Sequence, residues 1–116
     1  MEDNCIFCEI VRGEIPSEKI WEDEDFMAIK DVNPLVEGHT IVLSKKHYPN
    51  LIDASSSVYE GFLRAAESVA KKLMKDFGCE GFNLHLNNGE IAGQMVPHLH
   101  MHVLPRKKGD GFKPCA

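Results

Sequence analysis

Residues 94–104 read Gln94-Met95-Val96-Pro97-His98-Leu99-His100-Met101-His102-Val103-Leu104. From His98 onward polar and apolar residues alternate without a break, the period of a β-strand with two unlike faces. Leu99, Met101 and Val103 share one face and the three histidines share the other. Side chains two apart on a strand lie roughly 7 Å from each other, so the spacing predicts a row of imidazoles. With six histidines in 116 residues, chance would produce His-x-His-x-His in only about one to two sequences in a hundred.

Working outward, Phe82, Leu84 and Leu86 alternate with Asn83, His85 and Asn87, which predicts a second half-buried strand leading into the loop 88–93. Before it, Val58, Phe62, Ala65, Ala66, Val69, Leu73 and Phe77 recur at three- and four-residue steps. That stripe predicts a long helix over about Ser57–Phe77 with one face on a sheet. Ser57 with Glu60 three positions on fits a capping box, and Gly78 is a natural left-handed stop. His39–Leu43 is apolar and β-branched enough for a buried strand that exits at Lys45 and Lys46. Lys19–Trp21 and Phe26–Lys30, separated by Glu22-Asp23-Glu24-Asp25, predict a hairpin whose second strand ends at Asp31. Ile6, Ile10 and Val11 stand at helical offsets before Gly13 and Pro16, which gives a short N-terminal helix within residues 5–15. With no repeat and no linker, these elements predict one α+β domain over residues 1–116: about five strands in a mostly antiparallel sheet, one long helix and one short one.

Thirteen basic against 18 acidic residues give a net charge of −5 with neutral histidines, a field that repels nucleic acid. An anionic ligand must then be small and held by local donors. Ser44-Lys45-Lys46-His47 and Arg106-Lys107-Lys108 are the basic clusters, each equally readable as solvated loop charge. No apolar run reaches the roughly 18 residues of a membrane span, and the acidic N-terminus is unlike a signal peptide, so the expected location is the cytoplasm. There, four cysteines read as metal ligands, reactive thiols or buried residues and not as a disulfide framework.

Three histidines on one strand face admit two kinds of chemistry: a three-histidine metal site, or a nucleophilic imidazole held by its neighbours. A neutral, oriented imidazole can attack phosphorus and divide one hard displacement into two easier ones, given an acceptor for its other N–H. Donors must also neutralise the phosphate oxygens, and Asn87, Gln94 and nearby backbone N–H groups are suitable.

Gln94–Leu104 resembles the signature of the histidine triad family. Asp31-Val32-Asn33-Pro34 followed by Gly38-His39-Thr40-Ile41-Val42-Leu43-Ser44-Lys45-Lys46-His47 resembles it too, so the likeness extends over nearly the whole chain. The resemblance implies a nucleotidyl-histidine intermediate on His100, with His98 and His102 orienting that ring and His39 near the phosphate. It further implies that Asp31 accepts hydrogen bonds from ribose hydroxyls and that Asn87 and Gln94 hold phosphate. Ile6, Phe7, Ile10 and Ile29 match positions that line a purine pocket, although ordinary core packing explains these four nearly as well. A homodimer with two sites is implied as well. One departure is Met95 directly after Gln94, where several nucleoside phosphoramidases of the family carry a serine.

Cys5 and Cys8 form a Cys-x-x-Cys whose thiolates can reach one metal ion; two histidines would complete a tetrahedral site, and the sequence offers His47 and His98. The competing readings are a redox pair, which lacks a βαβ context, and two buried thiols. Bacterial-type members of the family, which this chain resembles, have such a site, so the resemblance implies structural zinc held by Cys5, Cys8, His47 and His98. Cys79, Cys115 and His85 receive no role.

The expected activity is that of a purine-nucleotide-binding hydrolase or transferase similar to the nucleoside phosphoramidase branch. It would cleave at the α-phosphorus of a nucleoside 5′-monophosphate derivative, a phosphoramidate or a related compound. Pro105-Arg106-Lys107 resembles the stretch after the triad in dinucleoside polyphosphate hydrolases, the enzymatic alternative. A nucleotide sensor or scaffold with incidental turnover, and a metal-dependent hydrolase using all three histidines, are the other classes.

Overall fold

In the computed structural model, which describes residues 4–113, the chain runs α1 (Ile6–Val11), β1 (Lys19–Glu22), β2 (Phe26–Lys30), β3 (Thr40–Ser44), α2 (Ser56–Phe77), β4 (Gly81–His85), a 3₁₀ turn (Glu90–Ala92) and β5 (His100–Arg106). Cys115 lies outside the described residues. The strands form one sheet in the order β1-β2-β3-β5-β4, and every neighbouring pair is antiparallel. The expected α+β class holds, and β5, last of these strands in sequence, lies inside the sheet. Among the described residues no helix is long and apolar enough to cross a membrane.

Both faces of β5 are covered. Leu99, Met101 and Val103 join the core beneath α2, where Phe62, Ala65, Ala66, Val69, Ala70 and Leu73 pack with Phe26, Ala28 and Val42. Full burial of Val69 or Leu73 contributes about 1.5–3 kcal/mol each, so the stripe read from the sequence is what holds α2 to the sheet. The opposite face carries a thinner layer, in which Phe7 and Cys8 of α1 pack with Met27, Ile29, Ile41 and Leu43. The histidines lie on this second side.

Several boundaries differ from expectation, two of them because a backbone N–H is used elsewhere. β5 begins at His100 and not at His98: Pro97 has no N–H, and the His98 N–H is spent on the Val96 carbonyl at 2.8 Å. β3 begins at Thr40 because the His39 N–H turns back to Val36 at 3.1 Å. The capping box is absent. The helix starts two residues earlier than a Ser57 cap would place it, with Ser55 at the N-cap, and Glu60 pairs with Arg64 one turn on. Gly78 does stop the helix in the left-handed conformation, at φ 65°.

Gly38 sets where the chain enters β3. Its φ is +87°, and a Cβ there would meet the Phe77 ring at 2.8 Å and Pro105 at 2.9 Å. A turn only glycine adopts easily is thus wedged between α2 and β5, immediately before His39.

Candidate functional site

His100 rises from the middle of the sheet against α1. It is 5% exposed and packs edge-on to Phe7, with ring centres 5.0 Å apart, and to His102 at 5.1 Å. Its Nδ1 lies 2.7 Å from the His98 carbonyl. A carbonyl only accepts, so Nδ1 carries the proton and Nε2 keeps a bare lone pair. Burial holds the ring below the usual histidine range, offset in part by that hydrogen bond and by Asp31.

Beside His102 stand His39, which is buried, and Asp31 at the end of β2. His39 Nε2 lies 2.9 Å from His102 Nδ1 and 3.3 Å from Asp31 Oδ2, and the same oxygen is 3.8 Å from His102 Nδ1. Asp31 Oδ1 accepts the Asn33 N–H at 2.8 Å, which anchors the carboxylate in its own loop. Burial first, then His100 and His39, push His102 down to about 4. Burial also lowers His39 against the pull of Asp31. At neutral pH these rings are uncharged, able to act as lone-pair donors and as neutral hydrogen-bond donors.

The first histidine of the motif has other partners, although it packs on the same Phe7 ring as His100. His98 Nε2 is 2.6 Å from the Ser44 carbonyl, so it donates there and leaves Nδ1 with its lone pair. That Nδ1 lies 3.2 Å from Cys5 Sγ, 3.5 Å from Cys8 Sγ and 3.2 Å from His47 Nδ1, and Cys8 Sγ is 3.3 Å from His47 Nδ1. All four ligand atoms lie within 4.8 Å of one another. Ligand bonds of about 2.0–2.3 Å in a tetrahedron set neighbouring ligand atoms roughly 3.3–3.8 Å apart. Both the spacing and the two-sulfur, two-nitrogen donor set therefore fit a tetrahedral metal ion. Of the three imidazoles predicted as a row, His100 and His102 pack on each other, while His98 serves the cysteine cluster through its ring and His100 through its carbonyl.

The remaining predicted residues divide. Asn87 continues the alternation of β4 two residues past His85, which pairs with His102, and its amide bonds to no described residue. Gln94 is engaged at both ends, accepting the Gly89 N–H and donating to the Pro49 carbonyl, each at 2.7 Å, so it braces the loop before the triad. Phe7, Ile10 and Ile29 gather in the thin core, with Phe7 against His100, whereas Ile6 is 46% exposed. Arg106 is not a free cation: Asp110 grips it bidentately at 2.7 and 2.9 Å and Asn83 at 2.7 Å. Two residues without a predicted role belong here. Ser44 supplies the carbonyl that orients His98, and His85, directly across from His102, is among the neighbours that disfavour protonation of His39 and His102. The shared face of Asn83, His85 and Asn87 was the signal for the latter.

A model of the HIT domain matches residues 12–109. The chain belongs to the HIT family. This HIT chain is 42% identical over 111 residues to Protein hit of Bacillus subtilis, covering 95% of itself and 77% of that protein. It is 39% identical over 110 residues to adenylylsulfatase HINT3 of Arabidopsis thaliana, covering 95% of itself and 56% of that protein. Its fold is similar to that of a zinc-bound histidine triad family protein from Mycobacterium smegmatis, with a TM-score of 0.90 at 36% identity, over 95% of this HIT chain and 80% of the other. The resemblance carried by Gln94–Leu104 holds at the level of the family.

Proposed function

We propose that the protein cleaves purine nucleoside 5′-monophosphate derivatives at the α-phosphorus, with His100 as the nucleophile. The observation that carries this reading is the His100 Nδ1–H held by the His98 carbonyl at 2.7 Å, which leaves Nε2 bare and aimed by a rigid backbone group. Nε2 forms a bond to phosphorus, the bond from phosphorus to the leaving group breaks with its electron pair going to the leaving atom, and that atom takes a proton from solvent water. Water then attacks the nucleotidyl-histidine and releases the monophosphate. Asn87 supplies an uncommitted amide N–H for a phosphoryl oxygen, Asp31 holds the ribose, His39 and His102 steady the reacting end, and Phe7, Ile10 and Ile29 form the apolar wall for the base. Gln94 acts by bracing its loop.

The Arabidopsis relative's name, adenylylsulfatase, supports an adenylyl half with an exchangeable leaving group. A phosphoramidate is the simplest member of that class. The grip of Asp110 on Arg106 removes the cation that favoured a dinucleoside polyphosphate.

Cys5, Cys8, His47 and His98 would hold zinc, which would supply a structural cross-link from α1 to the segment before β5 and no reaction chemistry. A cytoplasmic homodimer is part of the same reading.

Intact-mass spectrometry of the protein and of His100→Ala after brief mixing with adenosine 5′-phosphoramidate tests the reaction. We expect an AMP-sized adduct in the natural chain alone. If neither adduct nor AMP appears, the site is a nucleotide sensor and not an enzyme.

A further inference from the structure

The loop between β2 and β3 closes on itself. The Asp31 N–H reaches the His39 carbonyl at 3.0 Å, the His39 N–H reaches Val36 at 3.1 Å, and the Asn33 N–H reaches Asp31 Oδ1 at 2.8 Å. Val36 is buried while the Leu35 side chain is 57% exposed. These closures aim one backbone group inward: the Leu35 N–H lies 3.1 Å from His39 Nδ1. A backbone N–H can only donate, so Nδ1 of His39 must accept and the proton of the neutral ring must sit on Nε2. That Nε2–H faces His102 Nδ1 at 2.9 Å, closer than Asp31 Oδ2 at 3.3 Å. His102 Nδ1 accepts in turn, and its own proton is placed on Nε2.

We infer that the Leu35 backbone N–H is a positioning group of the site: through His39 it fixes the tautomer of His102, so that the ring packed edge-on to His100 carries its proton on Nε2. The two rings of β5 then have opposite tautomers, His100 protonated on Nδ1 by the demand of a carbonyl and His102 on Nε2 by the demand of an amide. One ring offers an electron pair and its neighbour a hydrogen bond, the combination an attacked phosphoryl group requires. The catalytic consequence rests on His100 as the nucleophile; the tautomer chain does not.

The same chain decides between two clusters. Asp31, His39 and His102 converge closely enough to hold an ion, but His39 would have to present a lone pair on Nε2 and so carry its proton on Nδ1, facing the Leu35 N–H. Donor against donor leaves a buried group unpaired, which disfavours that arrangement. His98 has the reverse arrangement, with Nε2–H satisfied by Ser44 and the Nδ1 lone pair facing Cys5 and Cys8, so of the two clusters the cysteine one suits a metal and the relay does not.

Ring-nitrogen NMR of the full-length protein at neutral pH, without nucleotide, tests this, alongside Leu35→Pro, which deletes the N–H, and Leu35→Ala, which keeps it. In the natural chain and in Leu35→Ala we expect protons on Nε2 of His39 and His102 and on Nδ1 of His100. In Leu35→Pro the His39 and His102 signals should become tautomer mixtures, with kcat falling about tenfold and KM unchanged. A proton on Nδ1 of His39 in the natural chain overturns the inference, and that spectrum decides the matter even if Leu35→Pro does not fold. Expected tautomers without any AMP adduct would defeat the proposed reaction and leave the relay standing.

Discussion

A methyl group at position 38 would strike two neighbours at once, the Phe77 ring and Pro105. Gly38→Ala combines left-handed backbone strain with overpacking, so we expect a loss of about 2–4 kcal/mol by urea denaturation; a loss below the strain term alone would show that the turn relaxes freely. The glycine was visible in the sequence as punctuation, but its reason was not, because the two side chains that crowd it come from residues 39 and 67 positions further along. His98 teaches the same lesson. Alternation placed it in a row with His100 and His102, whereas Pro97 and the Val96 carbonyl end the ladder before it. The histidines of the candidate site stood out because the motif is local. The ring orientations of His98 and His39 were not legible, since each faces a backbone group of another segment: the Ser44 carbonyl for His98 and the Leu35 N–H for His39.

At the scale of elements, α2 owes its place to its buried stripe and little to its first turn. Leu73→Ala should cost about 2–5 kcal/mol, whereas Glu60→Ala should stay within about 0.5 kcal/mol, because Glu60 meets Arg64 in solvent and caps nothing. Comparable losses for the two variants would restore the capping box. Periodicity revealed the helix because it spans 22 residues; the cap escaped because Ser55, Ser56 and Ser57 stand in a row and offer the same chemistry. The strands were likewise legible within a residue or two at most ends. Their order in the sheet was not, since no local pattern says that β5 lies between β3 and β4.

For the whole molecule, imidazoles buried without charge tie stability to pH. His102 falls from 6.5 to about 4 in the fold, so between those values the unfolded chain binds more protons than the folded one, and unfolding free energy rises with pH. Acidifying from pH 7 should therefore remove stability progressively down to pH 4, by as much as about 3 kcal/mol from this ring alone. Urea midpoints at pH 7 and pH 5 measure it. The decline begins above the range of carboxylates such as Glu22, which ion pairs hold down to about 2; midpoints equal at the two pH values would mean that the ring protonates within the fold.

The seat of β5 between β3 and β4 has a consequence for how the molecule comes into being. Until residues 100–106 have left the ribosome, β3 and β4 cannot pair with each other in the native order, and both keep an open inner edge of the kind that invites other chains. Insertion of the final strand closes both edges and, in the same event, brings His100 and His102 beside His39 and Asp31. A chain that ends before residue 100 therefore lacks the site altogether, because His100 and His102 belong to the strand that joins β3 to β4.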